Sequence, residues 1–254
     1  MPHNALQLLE SLDTLVRTAG AAILDIYATD FTVTQKADAS PVTLADERAE
    51  AILVDGLARL TPDIPVISEE AASAGHLPQV GQRFWLVDPL DGTKEFIQRN
   101  GEFTVNVALV EDHLAVLGIV FAPALGRLFA GAIGHGAWVE DSTGRRPIRC
   151  RRVPEAGITV VSSRSHGDAA ALEAFLAGRR VAASVNAGSS LKLCLIAAGE
   201  ADLYPRLGRT MEWDIAAGHA VLKAAGGQVT TLDGTELGYG KPGLDNPHFV
   251  ARGR

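Results

Sequence analysis

The sequence predicts a mixed α/β chain in two parts, with helices on an antiparallel sheet up to about residue 150 and alternating strands and helices beyond it. Three observations carry this reading. Two long amphipathic segments open the chain. Five short apolar runs separated by tight turns follow between residues 84 and 139. Strand-like and helix-like patterns then alternate to residue 225.

The first segment, residues 4–28, places Leu6, Leu9, Leu12, Val16, Ala19, Ile23 and Ile26 at helical spacing. A short strand-like piece over 31–35 follows. The run 41–46 then leads into a second amphipathic helix carrying Ile52, Leu53 and Leu57. Another short strand, 65–68, runs directly into Glu69-Glu70. Runs 84–87, 103–110, 116–121, 128–132 and 137–139 read as consecutive strands, and their short connections imply antiparallel neighbours. The glycines of Gly131-Ala-Ile-Gly134-His-Gly136 fit a hairpin, not a dinucleotide fingerprint.

Residues 140–155 are polar and basic and hold Pro147 and Pro154, so a boundary is expected near residue 150. The division is 1–150 and 151–254. Beyond it the pattern predicts strands at 158–162, 181–185 and 202–204, and helices at 168–176, 189–198 and 213–225. The last helix stops at Gly226-Gly227.

Bulk numbers narrow the function. At 254 residues and 47% hydrophobic content the chain can bury a sizeable core. No run approaches the roughly 18 apolar residues of a membrane span, and the N-terminus lacks the basic start and apolar block of a secretory signal. Cys150 and Cys194 form no metal or redox pair and suit a reducing compartment, so a cytoplasmic location is expected. A net charge of −7 argues against a nucleic-acid polymer as partner. A small anion remains compatible if metal ions or local cations offset the charge. P-loop, nucleophile-elbow, HExxH and EF-hand patterns are absent.

What remains is acidic. Asp88 and Asp91 end one strand, Glu69 follows another, Asp46 begins the second helix and Asp214 begins the last one. Carboxylates at strand ends and helix starts can converge on one crevice. If they do, their mutual repulsion calls for raised pKa values or bound cations, and an all-oxygen set selects a hard ion such as Mg²⁺. Pro89 helps turn the chain so that Asp88, the Leu90 carbonyl and Asp91 face one ion. Gly92 lets backbone approach closely, and the Thr93 hydroxyl can position a water at the start of a short helix over 93–98. That combination points to metal-assisted hydrolysis of a phosphate ester. Asp, Pro and Gly are also ordinary turn residues, so spacing alone leaves a plain turn open.

Three runs decide between these readings. Glu69-Glu70, Asp88-Pro-Leu-Asp-Gly-Thr93 and Trp213-Asp-Ile-Ala-Ala-Gly218 resemble, in order and spacing, the signature blocks of the inositol monophosphatase superfamily. The resemblance covers essentially the whole chain. It implies a layered αβαβα sandwich and lithium-sensitive, Mg²⁺-dependent phosphatase chemistry with two or three ions. The run from Asp91 to Asn106 is similar to the CysQ-type 3′(2′),5′-bisphosphate nucleotidases, with Lys94-Glu95 where inositol phosphatases typically carry Thr and Asn. Ser163-Arg-Ser-His166, Gly188-Ser-Ser-Leu-Lys192 and Leu203-Tyr-Pro-Arg206 agree.

The resemblance implies metal ligation by Glu69, Asp88, the Leu90 carbonyl, Asp91 and Asp214. It implies activation of water by Thr93, Glu69 and Asp46. It further implies substrate contacts from Asp91, Gly92, Thr93, Ser163, His166, Gly188, Lys192 and Asp214. The 3′-phosphate of adenosine 3′,5′-bisphosphate, a by-product of sulfate activation, would be the target. An inositol or sugar phosphatase is the near alternative, and an inactive metal-binding regulator the distant one. Monomer and homodimer are both compatible, and peripheral attachment to the cytoplasmic face of the inner membrane is a further property of the resembled family. Trp213 and His219 are expected to be structural.

Overall fold

The computed structural model describes residues 4–35, 41–163 and 169–254. Helix α1 (Ala5–Tyr27) starts at Asn4, whose side chain accepts the Leu6 amide and satisfies one of the donors a helix start leaves open. Its stripe from Leu8 to Ile26 is buried. Leu6, expected on that stripe, is 47% exposed, because it lies in the first turn, before the stripe is covered at Leu8.

Strands β1 (Val33–Gln35) and β2 (Pro41–Thr43) pair antiparallel and lead into α2 (Leu44–Leu60). β3 (Val66–Ser68), α3 (Glu69–Ser73), β4 (Arg83–Asp91) and α4 (Thr93–Ile97) follow. The expected meander then appears as β5 (Thr104–Glu111), β6 (Leu114–Ala122), β7 (Arg127–Ala132) and β8 (Gly136–Asp141). A further strand, β9 (Gly144–Ile148), occupies the basic stretch read as a polar connection. Its arginines hid it, because an edge strand exposed over four of five residues shows no apolar pattern.

β10 (Ile158–Ser163), α5 (Ala169–Leu176), β11 (Val181–Ala187), α6 (Leu191–Ala197), β12 (Leu203–Arg206) and α7 (Glu212–Ala224) form the alternating part. The expected start of α5 at Asp168 lies outside the described residues. Two strands the pattern missed, β13 (Gln228–Thr231) and β14 (Phe249–Arg252), complete it.

The meander and β3 form a seven-stranded sheet in order β3-β4-β5-β6-β7-β8-β9, antiparallel except for the parallel pair β3/β4. The second sheet runs β11-β10-β12-β14-β13. α1 and α2 pack on one face of the large sheet, and α7 on its other face, with α6 alongside α7. α6 in turn meets β10, β12 and β14, so the two helices are sandwiched between the sheets. The step from β10 to its parallel neighbour β11 goes one way along the sheet, and the step from β11 to β12 goes back past β10. Right-handed crossovers then put α5 and α6 on opposite faces, so α5 makes the outermost layer. This is the layered α/β arrangement expected from the resemblance.

α7 is seated very close to the sheet. A Cβ at Gly118 of β6 would lie 2.3 Å from the Ala217 carbonyl oxygen, so only glycine lets the helix come down here. Trp85, Leu109 and Ile119 look to the α1/α2 side, whereas Leu86, Ala108 and Val120 join the core with Ala216 and Val221 of α7. No helix among the described residues is long and apolar enough to cross a membrane.

Candidate active site

A regular strand points residues three apart to opposite faces. β4 does not stay regular: Asp88 pairs with Asn106 and Asp91 with Thr104, so three steps on β4 match two on β5. The extra residue is a bulge at Pro89-Leu90. Asn106 and Thr104 share a face of β5, and directly opposed residues share a face too, so the bulge brings Asp88 and Asp91 to the same side. Pro89 suits the bulge because it has no amide to place in the ladder. The Leu90 amide donates to Asp88 Oδ1 at 3.1 Å, and the Asn106 side chain donates to Asp91 at 3.3 Å.

Gly92 then takes φ +90°, a left-handed conformation that glycine adopts without steric cost, and α4 starts at Thr93. The Thr93 hydroxyl lies 3.3 Å from one Asp46 oxygen and 3.4 Å from the Leu90 carbonyl oxygen. The other Asp46 oxygen accepts the Thr43 amide and hydroxyl, both at 2.7 Å, while Thr43 accepts the Ala45 amide. Asp46 is therefore a buried capping-box residue of α2 that also holds Thr93. The helix N-terminal role and the site role coincide.

Carboxylate oxygens of Glu69, Asp88 and Asp214 all lie within 4.8 Å of one another. At an effective dielectric near 20, two full charges at that separation repel by about 3.5 kcal/mol. The protein's own response is visible in Asp91, whose carboxyl is pushed up to about 6. Burial is the main cause, and Glu69 adds to it against the opposing pull of Lys192. Asp214 is held well above the usual carboxylate range by burial, then by Asp91 and Glu69. Its Oδ2 accepts the Met211 amide at 2.8 Å, which fixes it in the first turn of α7. Carboxylates packed this way fit a hard divalent cation, which replaces their repulsion by attraction and asks only for oxygen donors.

These groups line a cavity of about 670 Å³ together with Leu90, Gly92, Thr93, Ser163 and Lys192. Lys192 is buried, and its ammonium donates to the Ser189 carbonyl at 2.5 Å and the Ala187 carbonyl at 3.3 Å. Its pKa is lowered to about 8, chiefly by burial, although Asp91 pulls the other way. Gly188 is not on the cavity wall. Its amide donates to Glu102 at 2.8 Å, and a Cβ there would stand 2.5 Å from the Glu102 carbonyl oxygen, so it joins the β11–α6 loop to the α4–β5 loop. His166 lies outside the described residues. Trp213 is buried on the cavity wall. His219 is buried elsewhere, with Nδ1 2.8 Å from the Tyr239 hydroxyl, and burial keeps it neutral with a pKa lowered to about 3.

Four residues of the site escaped the sequence reading. Asn106 holds Asp91. The Ser190 hydroxyl donates to the Asp214 carbonyl at 2.6 Å, and its amide bonds Asp91. Arg206 lines the cavity. Glu50, on α2, accepts from Ser68 and Ala71 at the start of α3. Ser190 and Arg206 stand inside runs that carried the resemblance, and Glu50 follows Asp46 by one helical turn, so a signal existed for each.

Comparison with known proteins adds the following. The model of the inositol monophosphatase family matches residues 5–251. A 3′(2′),5′-bisphosphate nucleotidase CysQ of Escherichia coli O157:H7 is 49% identical over 236 residues, covering 91% of this chain and 94% of the relative. Among solved structures, CysQ from Bacteroides thetaiotaomicron is similar with a TM-score of 0.81 and 35% identity, covering 96% of each chain. An inositol monophosphatase from Thermotoga maritima follows at 0.79 and 26% identity, covering 96% of this chain and 91% of its own.

Proposed function

The chain belongs to the inositol monophosphatase family, and from that premise we propose that it is a 3′(2′),5′-bisphosphate nucleotidase, releasing the 3′-phosphate of adenosine 3′,5′-bisphosphate to leave AMP. The observation that carries phosphatase chemistry is the line Asp46–Thr93–Leu90 set against the carboxylate cluster. The choice of nucleotide substrate rests on the relatives at about half identity and on Lys94-Glu95 beside the site.

In this reading Glu69, Asp88, Asp91, Asp214 and the Leu90 carbonyl hold two or three Mg²⁺ ions. Bound there, Mg²⁺ supplies Lewis acidity to the attacking water and to the departing ribose oxygen. Thr93 donates its hydroxyl proton to Asp46, so its lone pairs are free to accept from a water and aim it at phosphorus. Glu69, half-buried and lining the same cavity, would take the water's proton. Gly92 and Thr93 hold the scissile phosphate through backbone close to α4. Lys192 would supply positive charge from the cavity wall and Ser163 would contact the nucleotide, while His166, outside the described residues, is assigned to the nucleotide by the resemblance alone.

The division of labour we infer places most metal ligands on residues 1–150, and Asp214 with the nucleotide contacts on 151–254. The protein would work in the cytoplasm as a monomer or homodimer. Phosphate release from adenosine 3′,5′-bisphosphate and from inositol 1-phosphate, each with Mg²⁺ and with or without Li⁺, tests the proposal. The nucleotide should be strongly preferred and Li⁺ should inhibit. Preference for the inositol ester sinks the substrate assignment, and no turnover of either points to a metal-binding regulator.

A further inference from the structure

α3 begins without help from its own N-cap. Ser68 occupies that position, yet its side chain accepts no helix amide. Its hydroxyl donates instead to the Glu50 carboxylate, and the same Glu50 oxygen accepts the Ala71 amide at 3.0 Å. An N-cap side chain normally accepts from the second or third amide of its helix. With Glu69 first in α3, Ala71 is third, so the acceptor is supplied from α2.

α3 needs that anchor. It is five residues long and fully buries none of them, with Ala72 packed only in part against the core, so intrinsic helix stability does little to hold Glu69 in place. Glu50 lies four residues after Asp46, on the same face of α2. One helix face thus carries two carboxylates. The first is set against Thr93, and the second against the turn that presents Glu69.

We propose that Glu50 is a positioning residue for Glu69, holding the start of α3 so that the Glu69 carboxylate meets Asp88 and Asp214. The inference rests on the reading of Glu69 as a metal ligand and does not depend on which phosphate ester is the substrate.

The test compares wild type, Glu50→Ala and Glu50→Gln as full-length protein. Mg²⁺ is titrated into metal-free protein by calorimetry, kcat and KM are measured at saturating Mg²⁺, and the metal-free thermal midpoint is recorded. Loss of a group that orients a ligand typically costs about 10- to 100-fold in metal affinity. Glu50→Ala should weaken Mg²⁺ binding by that factor and lower kcat, with KM and the metal-free midpoint little changed. Glu50→Gln keeps an oxygen for Ser68 and Ala71 and should recover most of the affinity. Wild-type Mg²⁺ affinity in Glu50→Ala overturns the proposal, as does a loss of affinity that only tracks a falling midpoint. If Glu50→Ala does not fold, Glu50→Gln decides: retained affinity supports the positioning role, and a ten-fold loss overturns it. Wild-type protein that binds Mg²⁺ but leaves the nucleotide intact defeats the substrate assignment and leaves this comparison standing.

Discussion

β5 and β11 are opposites. β5 buries seven of its eight residues, with strands on both sides and helices over both faces. β11 exposes six of its seven and, among the described residues, pairs only with β10. The carboxylates of the site hang on the first kind of structure, through the β4/β5 bulge and the seat of α7 on β6. The Ser189–Lys192 stretch of the cavity wall follows β11 but is itself mostly buried, tied in where β11 turns inward at Ala187, where Gly188 meets Glu102 and where Ser190 bonds Asp214. Rigid packing holds reacting groups to fractions of an ångström, whereas the exposed strand that leads into this wall carries none of the site's acids. CysQ from Bacteroides thetaiotaomicron and an inositol monophosphatase from Thermotoga maritima share this fold at nearly equal TM-scores.

The largest effect should come from the rigid side. Asp91→Asn should lower kcat about a thousand-fold, the equivalent of several kcal/mol of lost charge stabilisation, while circular dichroism stays native. Near-normal turnover would remove Asp91 from the site.

Asp91 also makes metal-free stability depend on pH. Its carboxyl stands at about 6 in the fold against 3.8 unfolded, so its contribution is full below 3.8 and lost as pH rises through 6. The thermal midpoint without metal should therefore fall between about pH 4 and pH 6. Asp91→Asn should flatten that slope and Mg²⁺ should offset it. A midpoint that rises over this range would contradict the electrostatic picture of the cluster.

Next in size is Thr93→Ala, expected to cost about a hundred-fold in kcat as water positioning is lost, with Thr93→Ser close to wild type. An alanine variant with intact kcat would leave Thr93 as a plain helix start. On the β11 side of the cavity, Lys192→Met should act mainly on KM, about ten-fold. Because burial lowers the ammonium pKa to about 8, wild-type KM should climb above pH 8, and the variant should lack that inflection. The smallest effect belongs to the exposed edge. Val185→Thr should change stability by less than about 0.5 kcal/mol and leave kinetics alone; a larger shift would mean that this strand is covered in solution.

Most of this candidate site is legible in the sequence, since the runs at Glu69, Asp88–Thr93 and Trp213–Gly218 name nearly all its acids. Less legible were the residues that hold those acids. Glu50 looks like one more charge on a helix, and nothing in the run around Gly188 announces that its backbone seats Glu102. β9 and β14 escaped for related reasons: an arginine-rich edge and a four-residue strand carry too little apolar pattern to stand out.

The sequence by itself determined the local pieces. Apolar periodicity sets α1, α2 and the meander, Pro89 and Gly92 shape the turn, and the residue types call for a hard cation and a phosphate. Only the tertiary structure decided how they meet. The bulge turns Asp88 and Asp91 to one face, Asp214 arrives from more than a hundred residues away on a helix seated at Gly118, and α2 holds both Thr93 and the start of α3. Periodicity reports which side of an element is buried, and pairing register reports what lies across from it. The second depends on every other element of the fold.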